Sequence, residues 1–264
     1  FDGDILLTFK QGYNFIFPNL LCICPKLCGL GIIDEIARIC DINETKYVLD
    51  VGCGVGKNAI YLAKKYGCRV VGIDISREAV EIAERNASSE KLGDRLSFVV
   101  GDARNIPFDD NSFDVVICES ILVFLSDEDR KKAISEYKRV VKSGGYICLR
   151  ESSIICSKIS NFFRKMWRSI RIKPEYPNKW VELLSMSGLE VSAVRVFKVK
   201  LLREILSKLI RLGVRNYLRL SKIVVFMFFR RSECGFSTGI KWITWRISGL
   251  FRCIGVGLYV GRKY

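Results

Sequence analysis

The residues best suited to chemistry lie in one short stretch, Asp50-Val51-Gly52-Cys53-Gly54-Val55-Gly56-Lys57-Asn58, where an acid is followed by glycines at every second position. Glycine at this spacing lets the backbone turn tightly and approach a ligand closely, because it has no Cβ. A phosphate-cradling loop requires G-x-x-x-x-G-K-[ST], but Val51 stands where the first glycine belongs and Asn58 where the hydroxyl belongs. A dinucleotide fingerprint requires G-x-G-x-x-G, and here Gly56 arrives one residue early. Asp50 argues further against a pyrophosphate, which a carboxylate at the mouth would repel. A ligand that lacks phosphate and carries positive charge satisfies both the glycines and the acid.

Other acids recur at regular places downstream. Asp74 ends the apolar run Arg69-Val70-Val71-Gly72-Ile73, about 20 residues beyond the glycine loop, where nucleotide-binding α/β folds hold ribose hydroxyls. Asp102 follows Leu96 to Val100 in the turn Gly101-Asp102-Ala103, and Glu119 follows Phe113 to Cys118. Glu151 comes directly after Tyr146 to Arg150 and is expected as a second carboxylate at the mouth.

These positions imply the elements that must carry them. From Lys46 onward, short apolar runs alternate with segments of helical periodicity, the pattern of a mostly parallel sheet covered by helices on both faces. Tyr47 to Asp50 is the first strand and the following helix runs to about Tyr66. Ser76 caps the next helix, and Asp127 opens another that ends at Lys142-Ser143-Gly144-Gly145. Trp180 to Leu184 is the last helix and Leu189 to Phe197 the sixth strand. Ligands bind such sheets off the carboxyl ends of the strands, the edge where Asp50, Asp74, Asp102 and Glu119 all fall.

Taken together, Asp50-x-Gly52-x-Gly54-x-Gly56, Gly101-Asp102-Ala103, Pro107-Phe108 with Phe113-Asp114-x-Val116, and Val140-x-Lys142-x-Gly144-Gly145-x-Ile147-x-Leu149 occur in the order found in class I S-adenosylmethionine-dependent methyltransferases. The chain resembles that family, in particular its small-molecule branch of quinone, sterol and arsenite methyltransferases. The resemblance covers about Lys46 to Phe197 plus a final strand at Val256 to Gly261. It implies a doubly wound α/β fold with a seven-stranded, mostly parallel sheet, and S-adenosylmethionine as cofactor. Cofactor-binding roles carry over to Asp50, Gly52, Cys53, Gly54, Gly56, Asp74, Ile75, Asp102, Ala103 and Glu119. Asp50 would lie near the amino-acid moiety, Asp74 at the ribose, and Asp102 with Ala103 at the adenine. Glu119 is the candidate catalytic residue nearest the transferred methyl, placed to orient or deprotonate an acceptor hydroxyl. Relatives place a histidine pair slightly later in that loop, where this chain has Val123-Phe124, so the acceptor side is more apolar here.

Composition limits the alternatives. Among 264 residues there is no histidine, which excludes Ser-His-Asp and Cys-His nucleophiles and mixed Cys/His zinc sites. Cys22, Cys24 and Cys28 come closest to metal-ligand spacing but lack a second pair, so no metal site is expected. The odd count of 11 cysteines and the absence of a signal peptide point to free thiols and a cytoplasmic location.

Charge divides the chain. Residues 195–264 hold 16 Lys or Arg against Glu204 and Glu233, whereas residues 1–194 hold 27 basic against 26 acidic side chains. The organisation expected is an N-terminal helical lid (1–45, with Tyr13 as a lid residue), the methyltransferase core (46–197), a basic amphipathic insertion (198–255) and the last core strand (256–264). Within the insertion, Lys or Arg at 200, 203, 208, 211, 215, 219 and 222 share one helical side, opposite Leu202, Ile205, Leu206, Leu209 and Ile210. With its aromatic neighbours this reads as an interfacial segment at an anionic membrane surface. RNA is the less favoured partner, and a protein surface is the plain alternative. The function expected is methyl transfer to a small, hydrophobic, lipid- or quinone-like acceptor at a membrane. RNA or other small-molecule methylation, and a cofactor-binding module without turnover, are the rivals.

Overall fold

A computed structural model describes residues 30–90, 92–157, 159, 161–169, 171–198 and 253–264. The expectations for Tyr13, for Cys22, Cys24 and Cys28, and for the basic helix over 200–222 lie outside these residues. No helix among them is long and apolar enough to cross a membrane.

In chain order the elements are α1 (Leu30–Ile39), β1 (Tyr47–Val51), α2 (Lys57–Tyr66), β2 (Arg69–Asp74), α3 (Arg77–Ser88), β3 (Leu96–Val100), β4 (Phe113–Glu119), α4 (Asp127–Val140), β5 (Val141–Ile154), α5 (Asn161–Ser169), α6 (Pro177–Met186), β6 (Glu190–Lys198) and β7 (Ile254–Arg262). A short 3₁₀ turn, Leu122–Phe124, lies between β4 and α4. The sheet has seven strands in the order β3-β2-β1-β4-β5-β7-β6. Strands β1 to β5 pair in parallel, and β7 runs antiparallel between β5 and β6.

Central strands sit between helical layers, so their near-continuous apolar runs are buried on both faces. Val48, Val70, Val115 and Cys148 pack with α1, α2 and α3 through Ile36, Leu62 and Ala83. Leu49, Val71, Val116 and Leu149 pack on the other face with α4 and α6 through Ile134, Tyr137 and Trp180. The local signals hold where they were read. Ser76 Oγ accepts from Ala79 N–H at 3.2 Å to cap α3 as expected, and α4 opens at Asp127 as expected, its cap being Ser126, whose Oγ accepts from Asp129 N–H at 3.1 Å. Strand order reverses between β1 and β4, which opens a crevice above their carboxyl ends.

Two details differ from the sequence expectation. Strand β5 begins at Val141, and Lys142-Ser143-Gly144-Gly145 is taken up in a register irregularity between Phe113 and Val115 of β4 rather than in a loop. Free thiols were expected throughout, yet Cys156 and Cys253 form a disulfide. They stand at the far end of the antiparallel β5 and β7 pair, which brings their Cα atoms to 4.6 Å across 97 residues of sequence. The described cysteines Cys40, Cys53, Cys68, Cys118 and Cys148 are free.

Close packing at Gly145 makes the fold testable. A Cβ there would sit 2.6 Å from the carbonyl oxygen of Asp114, which is backbone and cannot swing aside. Gly145→Ala should therefore lower unfolding free energy by roughly 2 kcal/mol in urea denaturation. Gly93→Ala, where nothing lies within 4 Å and only φ +57° opposes the change, should cost about 1 kcal/mol.

Candidate active site

The glycine loop is held to β2 by backbone and by one side chain. Gly52 and Cys53 N–H both donate to Ile73 O, at 2.8 and 3.0 Å. Gly54 N–H donates to Asp74 Oδ2 at 2.9 Å, and Ser76 N–H donates to Asp74 Oδ1 at 2.9 Å. Gly52, Gly54 and Gly56 have φ of 72°, 54° and 81°, a region that side chains with a Cβ rarely adopt. Their surroundings differ. A Cβ on Gly52 would strike Ile121 Cδ1 at 2.2 Å, and one on Gly56 would strike Phe98 at 2.7 Å. At Gly54 nothing lies within 4 Å, so the middle of the loop faces open space that a ligand can enter.

Asp50 lies beneath this loop, 1% exposed, with Oδ2 lacking any hydrogen-bond partner. Burial first, then the charge of Asp74, pushes its carboxyl up to about 7, while Ala59 N–H draws it down. A buried, underpaired acid beside an open cradle is suited to a cationic group. The Cys53 thiol, raised mainly by burial and then by Asp50 and Asp74, stays protonated and is no nucleophile. Ile75 follows Asp74 at the rim and is 70% exposed, an apolar side chain presented where a flat ring could rest on it.

The other expected acids are at the same edge but occupied differently. Asp102 is gripped by Arg104, which donates Nε at 3.0 and 3.2 Å and Nη2 at 2.6 Å. These bonds hold its carboxyl below the usual range. Ala103 packs partly buried against the core beside it. Glu119 Oε2 accepts from Asn58 Nδ2 at 2.6 Å, and Oε1 is ion-paired with Arg150, its neighbour across the β4–β5 register. Asn58 sits in the first turn of α2, so Glu119 joins the glycine-loop helix to the ends of β4 and β5.

Glu151 does not line an open mouth. It is fully buried, and its Oε1 accepts from Ile121 N–H at 3.1 Å and Leu122 N–H at 2.9 Å. The structure thus adds Asn58, Arg150 and Arg104 to the residues that shape the site, and turns Glu151, expected as a second carboxylate at the mouth, into the interior. Each stands next to a residue that sequence reasoning did single out, but only strand register and helix rotation say which side chain it meets. No cluster of metal-ligating side chains occurs among the described residues.

Residues 48–145 match the family model described as a methyltransferase domain. The methyltransferase GfsG of Streptomyces halstedii is 36% identical over 147 residues, 55% of this chain and 52% of that protein. Ajmaline N-methyltransferase of Rauvolfia serpentina is 41% identical over 107 residues, 40% of this chain and 36% of that one. The chain therefore spans about half or less of the length of these curated relatives. Among solved structures, Haemonchus contortus phosphoethanolamine N-methyltransferase 2 with S-adenosylhomocysteine superposes with a TM-score of 0.69 at 18% identity, over 90% of this chain and 53% of that one.

The electrostatics of the cradle predict a pH signature. Asp50 titrates near 7 in the fold, above its ordinary 3.8, so the folded state holds the extra proton in between. Its contribution is then fully present at acid pH and is lost as pH rises from about 4 to 7. In urea denaturation, Asp50→Asn should gain stability relative to wild type across that window, by about 4 kcal/mol at most, and the gap should be flat above pH 8. The ordered acids, the open glycine cradle, the seven-stranded sheet and the matched region lead to one assignment: residues 48–145 form a methyltransferase domain, in a fold like that of the class I S-adenosylmethionine-dependent methyltransferases.

Proposed function

We propose that the chain transfers the methyl group of S-adenosylmethionine to a small acceptor with an apolar body, met at an anionic membrane surface on the cytoplasmic side. The observation that carries methyl transfer is the cradle itself: Gly54 facing open space, Asp50 buried with a bare oxygen, and Asp74 fixed beside both. When bound, S-adenosylmethionine supplies an electrophilic methyl on a sulfonium. The chain supplies binding, orientation and exclusion of water.

Asp50 offers negative charge to the cationic end of the cofactor. Asp74 accepts two backbone N–H bonds and retains lone pairs for ribose hydroxyls. Ile75 gives the adenine an apolar face, with Ala103 beside it, and Asp102 reaches the adenine from within its Arg104 pair. Glu119 already carries a guanidinium and an amide donor, which makes it a poor proton acceptor but a fixed anchor for orienting an acceptor. The apolar turn Ile121 to Leu125 borders the acceptor side. A relative named for N-methylation of ajmaline supports a small-molecule acceptor. The membrane part of the proposal rests on the basic, aromatic composition of residues 195–264.

Incubation with S-adenosylmethionine labelled at the methyl group and a total lipid extract should move label into the organic phase with release of S-adenosylhomocysteine. Glu119→Gln should lower that turnover at least tenfold with cofactor affinity within threefold; full turnover would remove Glu119 from the reaction. Label appearing only in added RNA would favour the nucleic-acid reading, and cofactor binding without transfer to lipid, RNA or soluble small-molecule extracts would favour a module without turnover. The full chain should float with phosphatidylserine vesicles at 0.1 M salt. A variant with Gln at 200, 203, 208, 211, 215, 219 and 222 should not, and equal flotation of both would refute the membrane proposal.

A further inference from the structure

The turn after β4 is gripped from two sides by buried charges of opposite sign. On one side, Glu151 takes the N–H groups of Ile121 and Leu122 on the same oxygen. On the other, Arg130, 4% exposed, donates Nε to Leu122 O at 2.7 Å. Arg130 also donates Nη2 to Lys173 O at 2.6 Å and Nη1 to Glu175 at 3.0 Å and Asp127 at 3.3 Å, and Lys173 N–H returns to Val123 O at 2.7 Å. The N–H of Leu122 thus points at a carboxylate and its C=O at a guanidinium. Ile121, the residue before it, lies against the glycine loop, where the space of a Cβ on Gly52 is filled by Ile121 Cδ1.

Core packing does not require an acid at 151. Glu151 has a second oxygen, Oε2, buried with no hydrogen-bond partner, and an apolar residue of similar volume would escape that desolvation cost. What an apolar residue could not do is fix two consecutive amides of the turn. We propose that Glu151 is a positioning residue, which sets the Ile121–Leu122 turn against Gly52 and so shapes the acceptor side of the site. The acceptor side is so identified by the proposed methyl transfer, whereas the contacts of Glu151 are independent of it.

The groups facing Glu151 are Cys118 of β4, Tyr137 and Arg130 of α4, and Tyr259 of β7. Burial raises the Cys118 thiol and the Tyr137 phenol well above their ordinary ranges and Tyr259 to about 12, so none of these three changes charge near neutral pH. Burial also pushes Glu151 up to about 7, against the turn amides and Arg130, which draw it down. Ionised, it makes two charge-assisted bonds to the turn; protonated on Oε2, it makes weaker neutral ones. The turn should therefore tighten as pH rises through about 7.

The test is an NMR titration of the full chain from pH 5.5 to 8.5. The amide protons of Ile121 and Leu122 should shift together with one glutamate side-chain carboxyl carbon, and protection of both amides from exchange, corrected for intrinsic rate, should rise at least fivefold. In Glu151→Gln, which keeps an accepting oxygen, both amides should lose that titration. Amides that do not titrate in wild type, or that titrate unchanged in the variant, would overturn the proposal. The wild-type titration decides the matter if the variant does not fold. A chain that binds no S-adenosylmethionine would defeat the methyltransfer reading and leave this result standing.

Discussion

A single carboxylate, Asp74, holds the glycine loop in the shape the site depends on. It accepts from Gly54 N–H on one oxygen and from Ser76 N–H on the other, so the loop after β1 and the cap of α3 close on the same side chain. Backbone bonds fix Gly52 and Gly56, so Asp74 supplies the bond that holds Gly54 between them, where glycine's large conformational freedom would otherwise have to be lost unaided. The parallel pairing of Asp50 with Gly72 and Val51 with Ile73 delivers both strands to the same edge and brings Asp74 within reach. Fold and site meet at this bond.

The edge as a whole is acidic, and the structure distributes its charges by burial. Asp50 and Glu151 are buried, each with an unpartnered oxygen, and both are pushed up to about 7. Asp102 and Glu119 are instead paired with arginines. The loop thus has one underpaired acid beneath it, while the flanking acids are fixed by their arginines. In the proposed function this division separates cofactor attraction, at Asp50, from shaping of the acceptor side, at Glu119 and Glu151.

Much of this was legible in the chain alone because local chemistry specifies it. The glycine spacing excluded two phosphate-binding loops before any fold was known. Ser76 as a cap, Asp74 as a strand-end acid and the strands Arg69–Asp74 and Leu96–Val100 follow from short-range pattern. Long-range pairing does not. That Arg150 meets Glu119 depends on β4–β5 register, that Glu151 turns inward depends on which face of β5 it occupies, and that Cys156 joins Cys253 depends on an antiparallel strand arriving 97 residues later. Glu151 illustrates the limit most clearly, since the sequence placed it at the edge but carried no sign that it would serve the neighbouring turn.

The central claim is that the loop from Asp50 to Gly56 binds S-adenosylmethionine, with Asp74 holding its shape and its ribose. Isothermal titration of the full chain with S-adenosylmethionine, NADH and ATP tests it most directly. The account predicts saturable binding of S-adenosylmethionine at one site per chain, no comparable binding of the two phosphate-bearing ligands, and at least tenfold weaker binding to Asp74→Ala. Binding of NADH or ATP in preference, or an Asp74→Ala variant that binds S-adenosylmethionine as wild type does, would contradict it.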